Sequence, residues 1–411
     1  MPGTDSVSVF AEGTFEEQIQ ELVNYIVRNR SEEERVAFIR PFQEALKTPE
    51  GQTPLEEDAG RKRSIFHMVA VEVKSLGDGT DKEMEGFFNL LFSHLFALHS
   101  HDGSDTKSYV DELIQLLTQN PSQHQFVKYR ILANLFNAME RTSSLRPVVY
   151  TALVQMASSN GDLDVLQITR VNVEKWLSEW NISDLDKATF LKTISGAYET
   201  MSQPEKAYEY ERLYVRALPS TSQDAQDGAV NLIASALRLP TVFDFDPLFK
   251  LDAVVQIKHH ELFSLLQIFL SGALPEFKAW EQSHPDVLQT YKLDRTVLER
   301  KIRLLTLASL AFQHVGRDLP YSKVAEALQV ETQEVEKWAI DVIRAGLVWG
   351  KLSQTTQSLH VTRATARTFE KEQWEALEKR LLAWKSGLGG VLDVVVSAKR
   401  QAGLGQPQNA V

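Results

Sequence analysis

The chain has 411 residues, with 44 Lys and Arg against 55 Asp and Glu, a net charge of −11. The absence of cysteine excludes disulfides, thiolate zinc sites and a thiol nucleophile, and the acidic balance argues against a surface that binds nucleic acid indiscriminately. A hydrophobic content of 43% can fill a sizeable core, so the length predicts two or three domains or one long repeat array with a cap.

From Met1 to Thr14 no basic segment precedes an apolar stretch, so no signal peptide is predicted. Phe15, Ile19, Leu22, Val23 and Ile26 then form one apolar stripe at helical spacing. Val110, Leu113, Ile114 and Leu117 form another, and Phe126, Tyr129, Ile131, Leu132, Leu135 and Phe136 a wider one. Breaks are predicted at Thr48-Pro49-Glu50-Gly51, Gly77-Asp78-Gly79, His101-Asp102-Gly103 and Asn120-Pro121, where Gly permits positive φ and Asp or Asn can cap a new helix. No alternating Val, Ile and Thr run marks a strand before Pro240. Helical hairpins in series predict an α-solenoid. Ala197 to Tyr210, with Pro204 opening its second helix, resembles one tetratricopeptide turn in an otherwise irregular array.

A further helix through Val230, Ile233, Ala234 and Leu237 stops at Pro240, and Phe243 to Phe249 reads as a connection anchored by aromatics. Short helices are predicted around His259–Leu270 and Ala273–Gln282. The apolar window Leu262–Leu274 is interrupted and shorter than the roughly 20 residues of a membrane span, so no membrane contact is expected. Leu298–Val315 is apolar on nearly all sides, as in a helix buried by several neighbours. Leu319-Pro320-Tyr321 leads to a short helix capped by Ser322. Val335, Trp338, Ala339, Val342 and Ile343 stripe a third helix closed by Gly346. Two strands, Leu347–Leu352 and Ser358–Thr362, flank a turn at Gln354-Thr355-Thr356-Gln357. A last helix is predicted from Phe369 to Trp384, followed by a tail.

Helix, extended piece, helix, helix, strand, turn, strand is the order of a winged helix. Ser322–Leu328 and Val335–Leu352 resemble the PCI domain family, shared by the proteasome lid, the signalosome and eukaryotic translation initiation factor three. Leu347-Val348-Trp349-Gly350, Thr362–Phe369, Trp374 and Leu381 are similar to the m-subunit family of that factor. The resemblance implies an all-α fold, a right-handed helical-hairpin solenoid ending in a winged helix with a small antiparallel sheet. It divides the chain into helical repeats over 1–220, a PCI domain over 221–367 (helical part 221–293, winged helix 294–367) and an assembly helix with a flexible tail over 368–411. It further implies a non-catalytic cytoplasmic scaffold that supports messenger RNA recruitment to the small ribosomal subunit. The implied partners are other PCI and MPN subunits.

Two docking surfaces suit that role. An open sheet leaves unpaired backbone groups on its edge, which points to Leu347, Trp349, Leu352, Leu359 and Val361. Trp374, Leu377, Leu381, Trp384 and Leu388 are spaced as an a/d seam for partner helices. Residues 295–386 carry 15 bases and 11 acids, net +4, leaving −15 elsewhere. Lys351, Arg363, Arg367, Lys379 and Arg380 make a basic strip for RNA backbone or an acidic partner. The third helix, with Glu331, Glu334, Glu336 and Asp341 against Lys337 and Arg344, suits DNA phosphates poorly.

No cofactor, metal site or catalytic residue is predicted. His99-Ser100-His101 with Ser108 and Asp111 approaches the MPN metalloisopeptidase pattern, but its spacing is one residue short and helical stripes flank it. Gly346-Leu347-Val348-Trp349-Gly350-Lys351 has three residues between its glycines where a phosphate loop needs four, and runs from helix to strand.

Overall fold

The computed structural model describes residues 13–48, 53–119, 124–368 and 371–401. The predicted breaks at Pro49–Gly51 and Asn120–Pro121, the start of the last helix at Phe369, and most of the stretch from Met1 to Thr14 lie outside them. The fold is all-α with one small antiparallel sheet. The chain divides into two compact units, Met1–Leu218 and Pro219–Val411.

The first unit comprises α1 (Phe15–Ile26), α2 (Glu32–Leu46), α3 (Ala59–Val71), α4 (Asp81–Leu98), α5 (Ser104–Gln119), α6 (Gln125–Ala138), α7 (Arg146–Asn160), α8 (Arg170–Glu179), α9 (Asp184–Thr200) and α10 (Pro204–Ala217). Their starts are chemically specified. Thr14 and Glu17 form a reciprocal capping box on α1, as do Thr80 and Glu83 on α4. Pro204 opens α10, where its missing N–H would have no partner anyway. Gly161, at φ +80, ends α7. α4 packs on α6, α5 on α7, and α7 on α9, the next-but-one pairing of stacked helical layers. The predicted tetratricopeptide-like turn is the α9–α10 hairpin, clasped by Tyr198 stacked on Tyr210 with centroids 5.6 Å apart. The α1 and α5 stripes face the core. On α6 the expectation fails at Phe126, which is exposed because the face wraps too far round the helix.

The second unit begins with α11 (Gln223–Arg238), the one-turn helices α12 (Asp246–Phe249) and α13 (Asp252–Gln256), then α14 (Glu261–Ser271), α15 (Leu274–Ser283) and α16 (Val287–Thr290). The connection read at Phe243–Phe249 is thus partly helical, pinned by buried Phe245 and Leu248. Then come α17 (Arg295–Gln313), β1 (Asp318–Pro320), α18 (Tyr321–Leu328), α19 (Val335–Arg344), β2 (Val348–Ser353), β3 (Ser358–Ala364) and α20 (Lys371–Gln401). From α17 to β3 this is a winged helix. Leu304, Leu307, Val324, Leu328, Ala339, Val342, Val348, Leu359 and Val361 share its core.

Three readings change here. Ser322 is not the cap of α18. The Tyr321 N–H donates to Gln357 O at 2.9 Å, so the wing turn satisfies the helix start and Pro320 stands at the cap. The last helix does not end at Trp384 but runs to Gln401. Among the described residues the longest apolar segment therefore lies in this last helix, longer than the window Leu262–Leu274. Leu377–Gln401, with a mean hydropathy of 1.4 over its best window, is long and apolar enough to cross a membrane by length and composition alone.

Candidate partner interface

The sheet order is β1-β3-β2, both pairings antiparallel, so β3 is central and β2 forms an edge. Leu359 and Val361 therefore lie on the central strand with their side chains in the core, and Leu347 is buried beside them. The structure corrects their assignment to a docking surface: a side chain that fills the winged-helix core is not available to a neighbour. Leu352 is half-buried, while Trp349 and Lys351 are exposed on β2.

A bulge shapes this edge. Trp349 pairs with Arg363 but Gly350 pairs with Val361, leaving Thr362 without an opposite residue. Thr362 Oγ1 donates to Trp349 O at 2.9 Å and holds the bulge. Gly350 is required next to it, because a Cβ there would lie 2.4 Å from His360 O. The Arg363 guanidinium sits 4.5 Å from the Trp349 ring centroid. On the far strand pair, His360 Nδ1 meets Asp318 Oδ1 at 2.8 Å.

Arg367 leaves the basic strip. Its Nε donates to Leu305 O at 2.9 Å, one terminal nitrogen to Gly272 O at 2.5 Å and the other to Thr306 Oγ1 at 3.1 Å. Burial lowers its pKa to about 10, which still leaves it charged at neutral pH. With its donors committed to two helices, it clamps the segment that leads into α20. Arg367→Ala is expected to destabilise the second unit by about 2–3 kcal/mol, the scale of hydrogen bonds to a charged group. Chemical denaturation checks this, and Arg367→Lys should recover little because one ammonium cannot span all three acceptors.

Beyond the clamp, α20 projects its apolar side chains into solvent. Trp374 is 61% exposed, Trp384 67% and Leu388 52%, with Leu377 and Leu381 also exposed. The same 3,4 spacing continues through Val391 and Val395, and Leu382, Leu392, Val394 and Val396 widen the exposed face. At the base, Arg380 donates to Phe312 O at 3.0 Å and lies 5.1 Å from that ring. Nearby, Phe249, Ile268, Leu270, Trp280, Phe312 and Lys371 line a groove of about 1160 Å³. The continuation to Val395 was present in the sequence at the same spacing. The bulge and the Arg367 clamp had no signal there, because both depend on which strand and which carbonyls come close.

The metalloisopeptidase lookalike is split in the fold. His99 faces Asp105 at 3.7 Å, whereas His101 faces Glu140 at 3.6 Å and stacks on Phe96. Among the described residues no three His, Asp or Glu side chains gather as a metal site.

The PCI domain profile matches residues 281–363, and the profile described as eIF3 subunit M, C-terminal helix, matches residues 367–395. The chain is 31% identical over 416 residues to a protein of Phaeosphaeria nodorum named eukaryotic translation initiation factor 3 subunit M, covering 98% of this chain and 91% of that one. A Coccidioides immitis protein of the same name is 30% identical, with 96% of this chain and 89% of that one covered. One from Dictyostelium discoideum is 31% identical over 328 residues, 78% of this chain and 80% of that one.

Proposed function

The chain belongs to the eukaryotic translation initiation factor 3 subunit M family, and we propose that it is a non-catalytic scaffold subunit of that factor, joining its other PCI and MPN subunits through α20 and the edge of β2. The observation that carries this reading is α20: a 31-residue helix whose apolar side chains stand in solvent, in the segment that the C-terminal-helix profile matches. A helix that buries so little against its own chain gains stability by burying that surface against others.

In this scheme residues 1–220 are the helical array, 221–367 the PCI domain and 368–411 the assembly segment. Docking through Trp374, Leu377, Leu381, Trp384 and Leu388 sets the seam, and the backbone groups along β2 accept a neighbouring strand. The role is geometric, in the cytoplasm, and supports messenger RNA recruitment because the assembled factor meets the small ribosomal subunit. Its chemistry is docking, with no reaction assigned to any side chain.

Affinity purification of the intact chain, with mass spectrometry of what accompanies it, tests the assignment. Retrieval of initiation-factor subunits in near-equal amounts is expected. Proteasome-lid or signalosome subunits in their place would move the chain to another PCI assembly.

A further inference from the structure

We propose that the solvent face of the wing binds single-stranded RNA, with the Trp349 indole and the Arg363 guanidinium as a stacking platform and Lys351 as a phosphate contact. The β3 bulge is the feature that builds this face. Along an unbroken strand Arg363 would follow Leu359 and Val361 toward the core, since side chains alternate. The extra residue at Thr362 turns Arg363 outward instead, so that Thr362 and Arg363 are both exposed. Arg363 then meets Trp349, its cross-strand partner, at 4.5 Å. The guanidinium is thus held over one face of the indole, so the two planar groups form one stacked unit on the sheet, and 39% of Trp349 remains exposed.

Charge selects the ligand. Lys351 lies two residues along β2 from Trp349, on the same exposed face. The single carboxylate of the three strands, Asp318, is engaged by His360 at 2.8 Å. Residues 295–386 are net positive while the rest of the chain is strongly acidic, so phosphates are drawn here rather than elsewhere. An acidic peptide would satisfy the cations but gains little from a flat indole, whereas an unpaired base stacks on it. A duplex hides its bases, and residues 331–344, which lead into and form α19, carry four acids against two bases where a duplex reader needs bases.

The site is independent of docking through α20, and its test keeps the two apart. Full-length chain is titrated into a fluorescein-labelled 12-nucleotide oligouridine and followed by anisotropy at several salt concentrations. Trp349→Ala is expected to weaken binding about 5- to 150-fold, the range for loss of one base stack. Lys351→Ala should reduce the slope of log affinity against log salt by about 0.7, one phosphate on a single strand. Circular dichroism reports the fold of each variant. If Trp349→Ala melts the wing, Trp349→Phe, expected to bind within a few-fold of the parent, and Arg363→Ala, expected to bind more weakly, carry the test. Absence of binding, or equal affinity of folded parent and Trp349→Ala, overturns the proposal. Equal competition by a polyglutamate peptide assigns the face to acidic protein instead. Arg363→Ala, on the central strand β3 and outside both docking surfaces, should still retrieve the same subunits as the parent, so a docking failure is read separately.

Discussion

A chain ended after Thr368, which removes α20, is expected to retrieve less than about a tenth of the subunits that accompany the intact chain, while both compact units stay folded. The reasoning is an asymmetry in burial. Leu377, Leu381, Trp384, Leu388, Val391 and Val395 are all exposed, so deleting them uncovers almost no core. Each fully buried apolar side chain of this size is worth about 1.5–3 kcal/mol, and several on one helix face dominate an interface. The truncated chain should also be more soluble, since the largest exposed apolar surface leaves with it. Replacing Leu381 and Leu388 by Glu in the full chain should reproduce the loss without shortening it. Two outcomes would sink the seam: undiminished retrieval by the truncated chain, or retrieval that survives the Glu variant. Because Leu377–Gln401 also meets the length and composition of a membrane span, flotation with lipid vesicles belongs in the same experiment. Lys379, Arg380, Lys385, Asp393, Lys399 and Arg400 interrupt or flank the apolar run, which favours a helix that exchanges water for protein. Co-flotation of the intact chain without any partner subunit would favour the lipid surface.

The sequence exposes what is periodic and conceals what is contingent on contact. The stripes of α1 and α5 are visible because burial on a helix repeats every three or four residues, and the winged helix because its element order is unusual. The full extent of α20 was hidden by Gly387, Gly389 and Gly390. Glycine weakens a helix by about 1 kcal/mol relative to alanine, so three within four residues read as a stop. Yet the 3,4 spacing crosses them unbroken, and it was the better guide. Sheet order is illegible for another reason. β1 is three residues long and pairs with β3, so a strand that reads as an edge from β2 alone becomes central. That shift moves Leu359 and Val361 from the docking surface to the core. Arg367 fails in the same way: its charge is in the sequence, but the carbonyls of Leu305 and Gly272 that consume it are 62 and 95 residues away.

Lys301 makes the strongest prediction about pH. It is 1% exposed, on α17, and among the described residues no carboxylate forms an ion pair with it. Its Nζ donates to Ala236 O at 2.7 Å and Leu237 O at 3.2 Å, near the C-terminus of α11, and lies 5.2 Å from the Phe245 ring centroid. Those carbonyls and the ring favour the ammonium, as a helix C-terminus does. Burial opposes them and prevails, lowering the pKa to about 7. An unfolded lysine titrates near 10.4, so between these values the unfolded chain holds the additional proton. Stability therefore rises with pH from about 7 toward about 10, by at most about 1.4 kcal/mol per pH unit, and this contribution is lost again as pH falls back through that window. Unfolding midpoints at pH 6.5 and pH 9 should differ more for the parent than for Lys301→Met, which fills similar volume without titrating. The difference between the two chains cancels the other ionisable groups. Met leaves two carbonyls without their donor, at about 1 kcal/mol each, so its deficit should be largest at pH 9, where the parent lysine is neutral and still donates. Parallel pH profiles for the two proteins would mean that Lys301 keeps its proton throughout, and that the α11 carbonyls and Phe245 outweigh burial.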